Sequence, residues 1–185
     1  ARHFAREIPD FVERNFPAKP GRGARAIGGL SMGGYGALRL ALGFPDRFCS
    51  VHSHSGAVMR FNLDLTPREA RRHRMFRDHA PGFFFEMRRV FGRLSIGTPH
   101  DLLALVRHAR RRRRRLPRIL LDCGTEDFLL EANRELHREL LALRVPHLYR
   151  EYPGGHDWDY WDLHVREALD FHARNLRLPP SETKG

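Results

Sequence analysis

The chain has 185 residues, of which 41% are hydrophobic and 30% charged, with a net charge of +11. That length suits one domain with a substantial core, and no apolar run reaches the roughly 18 residues that would mark a membrane-spanning helix. The two cysteines, Cys49 and Cys123, offer neither a disulfide framework nor metal-ligand spacing, so they read as buried thiols and neither metal nor cofactor is expected.

The charge is unevenly placed. Residues 60–115 hold 16 of the 33 basic residues and 5 of the 22 acidic ones, so this segment carries the whole excess. It includes six consecutive arginines, Arg110 to Arg115. Such a block can attract nucleic acid or an anionic surface. Nucleic-acid binders, however, interleave aromatic residues or carry a recognisable module, and neither is present. A solvated arginine-rich helical face is the expectation, with no nucleic-acid partner.

In chain order, residues 1–17 read as the end of a helix, with Phe4, Ile8, Phe11 and Val12 near one face, broken by the stretch from Pro17 to Gly23. Ala24 to Leu30 reads as a short buried strand. Within Gly29-Leu30-Ser31-Met32-Gly33 lies a G-x-S-x-G pentapeptide, the spelling of a nucleophile elbow. A serine presented on a sharp strand-to-helix turn brings the residues two before and two after it together, and glycine removes the Cβ atoms that would clash. Tyr35, Leu38 and Leu42 then recur at helical spacing until Gly43 and Pro45 stop the helix.

Arg47 to His52 is the second predicted strand and opens into Ser53 to Ala57. The basic segment 60–115 reads as a mostly helical, cap-like insertion with loops at Pro81-Gly82 and Gly97-Thr98-Pro99. Its aromatic cluster Phe83-Phe84-Phe85 is expected to anchor it to the core. Arg118 to Asp122 is the third strand, followed by a loop to Asp127 and a helix in which Leu136, Leu140 and Leu143 share a face. Pro146 to Tyr152 is the fourth strand. The turn Pro153 to His156 follows, then a last helix from Trp158 to Leu176 and a disordered tail, Pro179 to Gly185. Alternating strands and helices predict an α/β fold, a doubly wound, mostly parallel sheet with helices on both faces.

In such sheets, ligand sites gather at the carboxyl ends of the strands. Ser31, Asp127 and His156 all stand there, in the chain order Ser, Asp, His. A serine nucleophile needs a base within hydrogen-bond reach and an acid to orient that base. Asp122 is the rival acid, but it ends the strand itself, whereas Asp127 lies in the loop. His52 and His54 lie beyond the strand after the elbow and are placed to line the site. Asp157, Asp159 and Asp162 follow His156 too closely to orient it and read as caps of the last helix.

Three separated blocks, Gly29 to Ala37, Asp122 to Phe128 and Tyr152 to Trp161, resemble the esterase D family of α/β-hydrolases. This group includes S-formylglutathione hydrolases, tributyrin and feruloyl esterases and mycolyl transferases. The resemblance covers about residues 22 to 176 and implies Ser31 as nucleophile, Asp127 as acid, His156 as base and the Met32 N–H as an oxyanion donor. It also implies a small-molecule ester substrate, with Tyr35, His54 and Trp158 as candidate substrate contacts. Family members have a longer stretch before the elbow, holding the first strands and an oxyanion loop. The chain is therefore expected to be the C-terminal portion of an α/β-hydrolase, 1–178, nearly inactive and poorly soluble in isolation. If these residues alone complete the oxyanion hole, His54 is the first donor to consider. Hydrolysis of small or short-chain acyl esters is the leading expectation, transfer to an alcohol acceptor the alternative, and an anion-binding role of the arginine run the third. With no leader visible after Ala1, a cytoplasmic location is expected, although an earlier start leaves secretion open.

Overall fold

A computed structural model of the chain describes residues 1–59, 66–72, 83–93 and 95–177. Four parallel strands form its sheet, in the order β1 (Ala26–Leu30), β2 (Ser50–His54), β3 (Arg118–Gly124) and β4 (Leu148–Tyr152). Spatial order equals chain order, so each crossover steps one strand in the same direction. Right-handed crossovers that always step the same way keep their helices on one face. The helices α2 (Met32–Gly43), α5 (Leu102–Arg111) and α6 (Leu130–Ala142) indeed share one core, built with Val51, Ile119 and Leu121 of the sheet. The terminal helix α7 (Trp158–Asn175) covers the opposite face, where Ala168 and Phe171 pack on Leu120. The expected parallel sheet with helices on both faces is therefore present.

Strand alternation explains why the two faces differ. In β2, Val51 and Ser53 point to the large apolar core, while Ser50, His52 and His54 point toward α7. All five residues are buried. In β3, Ile119, Leu121 and Cys123 share the apolar face with α2, α5 and α6, and Asp122 lies on the α7 face opposite His54. β2 begins and ends later than the sequence predicted, because a turn closes at Arg47 and His54 still pairs with Leu30 and Asp122. β3 runs two residues further, to Gly124, since Cys123 and Gly124 pair with Glu151 and Tyr152. β1 is an edge of the described sheet, and none of its residues is buried, contrary to the buried strand expected.

The segment between β2 and β3 contains the short helix α3 (Pro67–Arg72), α4 (Phe83–Phe91) and α5. Helix α5 is no cap. Leu102, Leu103, Val106 and Ala109 are buried, the first three within the main core against α2, and Asp101 caps its N-terminus by accepting from the Leu103 N–H at 3.0 Å. Of the aromatic cluster, Phe84 is buried and Phe85 exposed. The predicted loop at Pro81-Gly82 and the tail from Pro179 lie outside the described residues.

The N-terminal stretch is a π-helical turn, His3–Glu7, running into α1 (Ile8–Asn15). Only Ala5 is buried; Phe4, Ile8, Phe11 and Val12 all stand exposed, with Phe11 at 55%. The expected apolar face exists but covers nothing in the described residues. Ion pairs hold this stretch instead. Arg25 grips Glu13 with two parallel bonds, at 2.6 and 2.5 Å, and Arg47 pairs with Asp10.

Leu121 is fully buried and Phe11 is not, so truncation should separate them. Leu121→Ala should cost about 2–5 kcal/mol, and Phe11→Ala no more than about 0.5 kcal/mol. Urea midpoints at constant slope would measure both. Equal losses would mean that Phe11 is packed in the protein in solution.

Candidate active site

Ser31 sits between β1 and α2 with φ 54° and ψ −121°, a region that costs a non-glycine residue about 1–3 kcal/mol. The turn is possible because of Gly29. A Cβ there would lie 2.5 Å from the carbonyl carbon and oxygen of Gly33. The crowding is one-sided, since a Cβ on Gly33 would meet nothing within 4 Å. Gly34 is the second constrained position, where a Cβ would fall 2.6 Å from Ser53 Oγ and 3.1 Å from Gly56 Cα. The Ser31 N–H donates to the His54 carbonyl at 2.8 Å, and the Ser31 carbonyl accepts from Ala57 N–H at 3.0 Å. Met32 opens α2, so its N–H is among those a helix leaves without an internal partner.

Asp127 and His156 occupy the loops after β3 and β4, and these loops are stitched together. The Gly154 carbonyl accepts from Glu126 N–H at 3.1 Å, and the Gly154 N–H donates to the Glu126 carboxylate. A Cβ on Gly124 would lie 2.1 Å from the Gly154 oxygen, so only glycine allows the approach. Asp127 Oδ1 accepts from Leu129 N–H at 2.8 Å, which leaves Oδ2 for His156 Nδ1, also at 2.8 Å. His156 Nε2 stands 3.0 Å from Ser31 Oγ. The structure thus brings Ser31, His156 and Asp127 into one hydrogen-bonded line. The Asp127 side chain is fully buried and that of His156 is 18% exposed.

The ring of His156 lies between Phe128, at 4.7 Å, and the edge of Trp161, at 5.0 Å. Neither contact was visible in the sequence. Trp158, 72% exposed, meets Trp161 edge-on at 5.3 Å and remains beside the site. Asp157 caps α7, accepting from Tyr160 N–H at 3.0 Å, as its place in the sequence implied.

Tyr35 and His54 do not reach the reacting groups. Tyr35 O–H donates to the His100 carbonyl at 2.9 Å and the ring packs on Phe91, tying α2 to α4. Burial pushes its phenol up to about 12. His54 is buried under α7. Its Nδ1 meets Asp122 Oδ1 at 2.5 Å and its Nε2 donates to the Trp161 carbonyl at 3.2 Å, so no nitrogen is left for an oxyanion. The rival acid Asp122 belongs to this same buried cluster. It accepts from His52 Nε2 at 2.5 Å and from Tyr160 O–H at 3.0 Å. Burial pushes the Asp122 carboxyl up, but the bonds from His52 and His54 outweigh it and hold it down at about 2. Each imidazole bonds a different oxygen of the carboxylate, so the three side chains form one buried hydrogen-bonded network, with their polar atoms within 4.8 Å of one another. The alternating polar residues Ser50, His52 and His54 were its signal in the sequence.

Comparison with known proteins fits this geometry. A model of the Esterase family matches residues 2–172. The chain belongs to the Esterase family. An acetyl esterase of Caldicellulosiruptor saccharolyticus is 35% identical over 170 residues, covering 91% of this chain and 61% of that protein. Among solved structures, S-formylglutathione hydrolase of Staphylococcus aureus is similar with a TM-score of 0.73 and 28% identity, over 90% of this chain and 61% of that one. The substrate-bound fluorophosphonate-binding serine hydrolase F of the same organism gives 0.72 and 29%, over 91% and 62%. The fold is that of the α/β-hydrolases. The chain spans about three fifths of the length of these relatives.

The buried cluster, together with the half-buried His172 whose Nδ1 meets Ser50 Oγ at 2.8 Å, makes stability pH-dependent in two steps. Burial, and then the neighbouring His52, push His172 down to about 4, whereas an unfolded histidine protonates near about 6.5. The unfolded chain therefore binds the extra proton first, and stability should fall as pH drops from about 6.5 to about 4. The Asp122 contribution is complete above its unfolded value of about 3.9 and is lost as pH falls through about 2. His172→Asn should make the upper step shallower, and Asp122→Asn should remove the lower one. Chemical denaturation from pH 8 to pH 2 would read both. An unchanged upper step in His172→Asn would contradict the assignment.

Proposed function

We propose that the protein is a serine carboxylic-ester hydrolase acting on small or short-chain acyl esters. The observation that carries this reading is the unbroken line from Ser31 Oγ through the His156 ring to Asp127, at 3.0 and 2.8 Å. His156 Nε2 takes the Ser31 proton as Oγ attacks the ester carbonyl, and Asp127 holds the opposite N–H and steadies the imidazolium. The developing oxyanion lies at the N-terminus of α2, where the Met32 N–H and the helix dipole favour negative charge. His156 then gives the proton to the leaving alcohol, and the acyl-enzyme on Ser31 is cleaved by water that His156 deprotonates. An acetyl esterase among the relatives supports the short acyl group. So does the rim of the site, where Met32, Phe128 and Trp158 offer exposed apolar contact.

A fluorophosphonate probe should label the protein once, and peptide mapping should place the adduct on Ser31. An adduct on any other residue would sink this reading. Asp127→Asn should lower kcat on p-nitrophenyl acetate by about 10⁴, since the imidazole then takes the wrong tautomer. Asp122→Asn should lower stability while leaving the pH profile of turnover in place. The reverse pattern would make Asp122 the acid.

A further inference from the structure

The arginine run does not lie along a helix face. Helix α5 ends at Arg111, and the chain turns through Arg113, at φ 51°, before Leu116-Pro117 leads into β3 at Arg118. This turn wraps the amino ends of the strands, where three other segments bring further arginines. Two cavities open there, of about 380 and 410 Å³. Arg22, Arg115 and Arg118 line both. Arg110, Arg114 and Arg144 complete the first cavity, and Arg174 and Arg177 the second. No acidic side chain lines either one among the described residues.

The charge gathered here is poorly compensated. Arg114 pairs with Asp46 at 3.3 Å, but the same carboxylate also serves Arg6 at 3.7 Å. Arg110 donates to the Leu143 carbonyl and Arg22 to the carbonyls of Pro45 and Leu116, at 2.9 and 3.2 Å. These bonds fix the guanidinium groups without neutralising them. Burial, and then the charge of Arg115, push Arg22 below its ordinary pKa, with Arg177 adding to the effect. Like charges from four segments line the same end of the sheet, all but Arg22 exposed, and an anion bound among them would offset their repulsion.

We propose that these two cavities, which share Arg22, Arg115 and Arg118, together bind a ligand carrying linked phosphates. Guanidinium forks match phosphate oxygens in pairs, and two cavities sharing three arginines suit a chain of phosphates better than a single one. Among the described residues no aromatic ring lines either cavity to stack on a nucleobase. The site recognises the phosphate chain, free or as part of a nucleotide. It is separate from Ser31. The triad stands at the carboxyl ends of the strands, and the seven residues of β3 put roughly 20 Å between the two ends.

Titration calorimetry with inorganic tripolyphosphate tests the site. Binding should be measurable at about 50 mM salt and weaken steeply by about 200 mM. The double variant Arg115→Gln/Arg118→Gln, at positions lining both cavities, should weaken it by about tenfold or more. Arg111→Gln/Arg112→Gln removes the same charge from the same run outside the cavities and should change it by less than about twofold. ATP should bind like tripolyphosphate, and orthophosphate much more weakly. Equal losses in the two double variants would reduce the site to diffuse surface charge and overturn the proposal. So would ATP binding tenfold more tightly than tripolyphosphate, orthophosphate binding as well as tripolyphosphate, or duplex DNA outcompeting all three. Absence of tripolyphosphate binding at low salt would end it outright.

Discussion

The contact on which the site depends is the backbone approach of Gly29 to Gly33. Any other residue at position 29 would put a carbon 2.5 Å from a carbonyl, so only glycine lets β1 turn into α2 within a single residue. The serine at the apex pays in strain, and the strain persists because the surroundings over-determine it. Its N–H is fixed to His54, its carbonyl to Ala57, and α2 is pinned by Ala37, Leu38, Ala41 and Leu42 in the main core. The position of one oxygen is thus a consequence of packing across the whole sheet.

Much of this was legible in the sequence because it rests on backbone sterics. The glycines around Ser31 declare a sharp turn whatever the rest of the chain does, and loops after strands declare the end at which Asp127 and His156 stand. The choice of Asp127 over Asp122 followed the same logic of strand against loop. His52 and His54 were expected to line the site because the predicted strand stopped at His52, whereas β2 runs on to His54 and turns both imidazoles to the α7 face. Here that face is closed by α7, and the polar atoms satisfy one another. In α1, helical periodicity reported an apolar face but not what covers it.

The arginine run shows a different limit. Within the sequence, Arg110 to Arg115 is a local block whose natural reading is solvation. Arg22, Arg144, Arg174 and Arg177 lie far from it in the chain, and only the fold gathers them at the amino ends of the strands. Composition gave the charge, but its meaning depends on tertiary convergence.

The triad distances themselves are set by strand register. The 2.8 Å bond between Asp127 and His156 joins loops that continue β3 and β4, and those loops are locked by Glu126 and Gly154 just past the last paired residues, Gly124 and Tyr152. The 3.0 Å contact between His156 and Ser31 spans two further strands and has no such direct stitch. What links them is His54. Its carbonyl holds the Ser31 N–H while its side chain holds the Trp161 carbonyl, and the Trp161 ring packs against His156. One buried residue therefore grips the nucleophile's backbone from one side and the support of the base from the other. Asp122 orients that residue from the neighbouring strand. A polar cluster outside the reacting line thereby couples the two halves of the site.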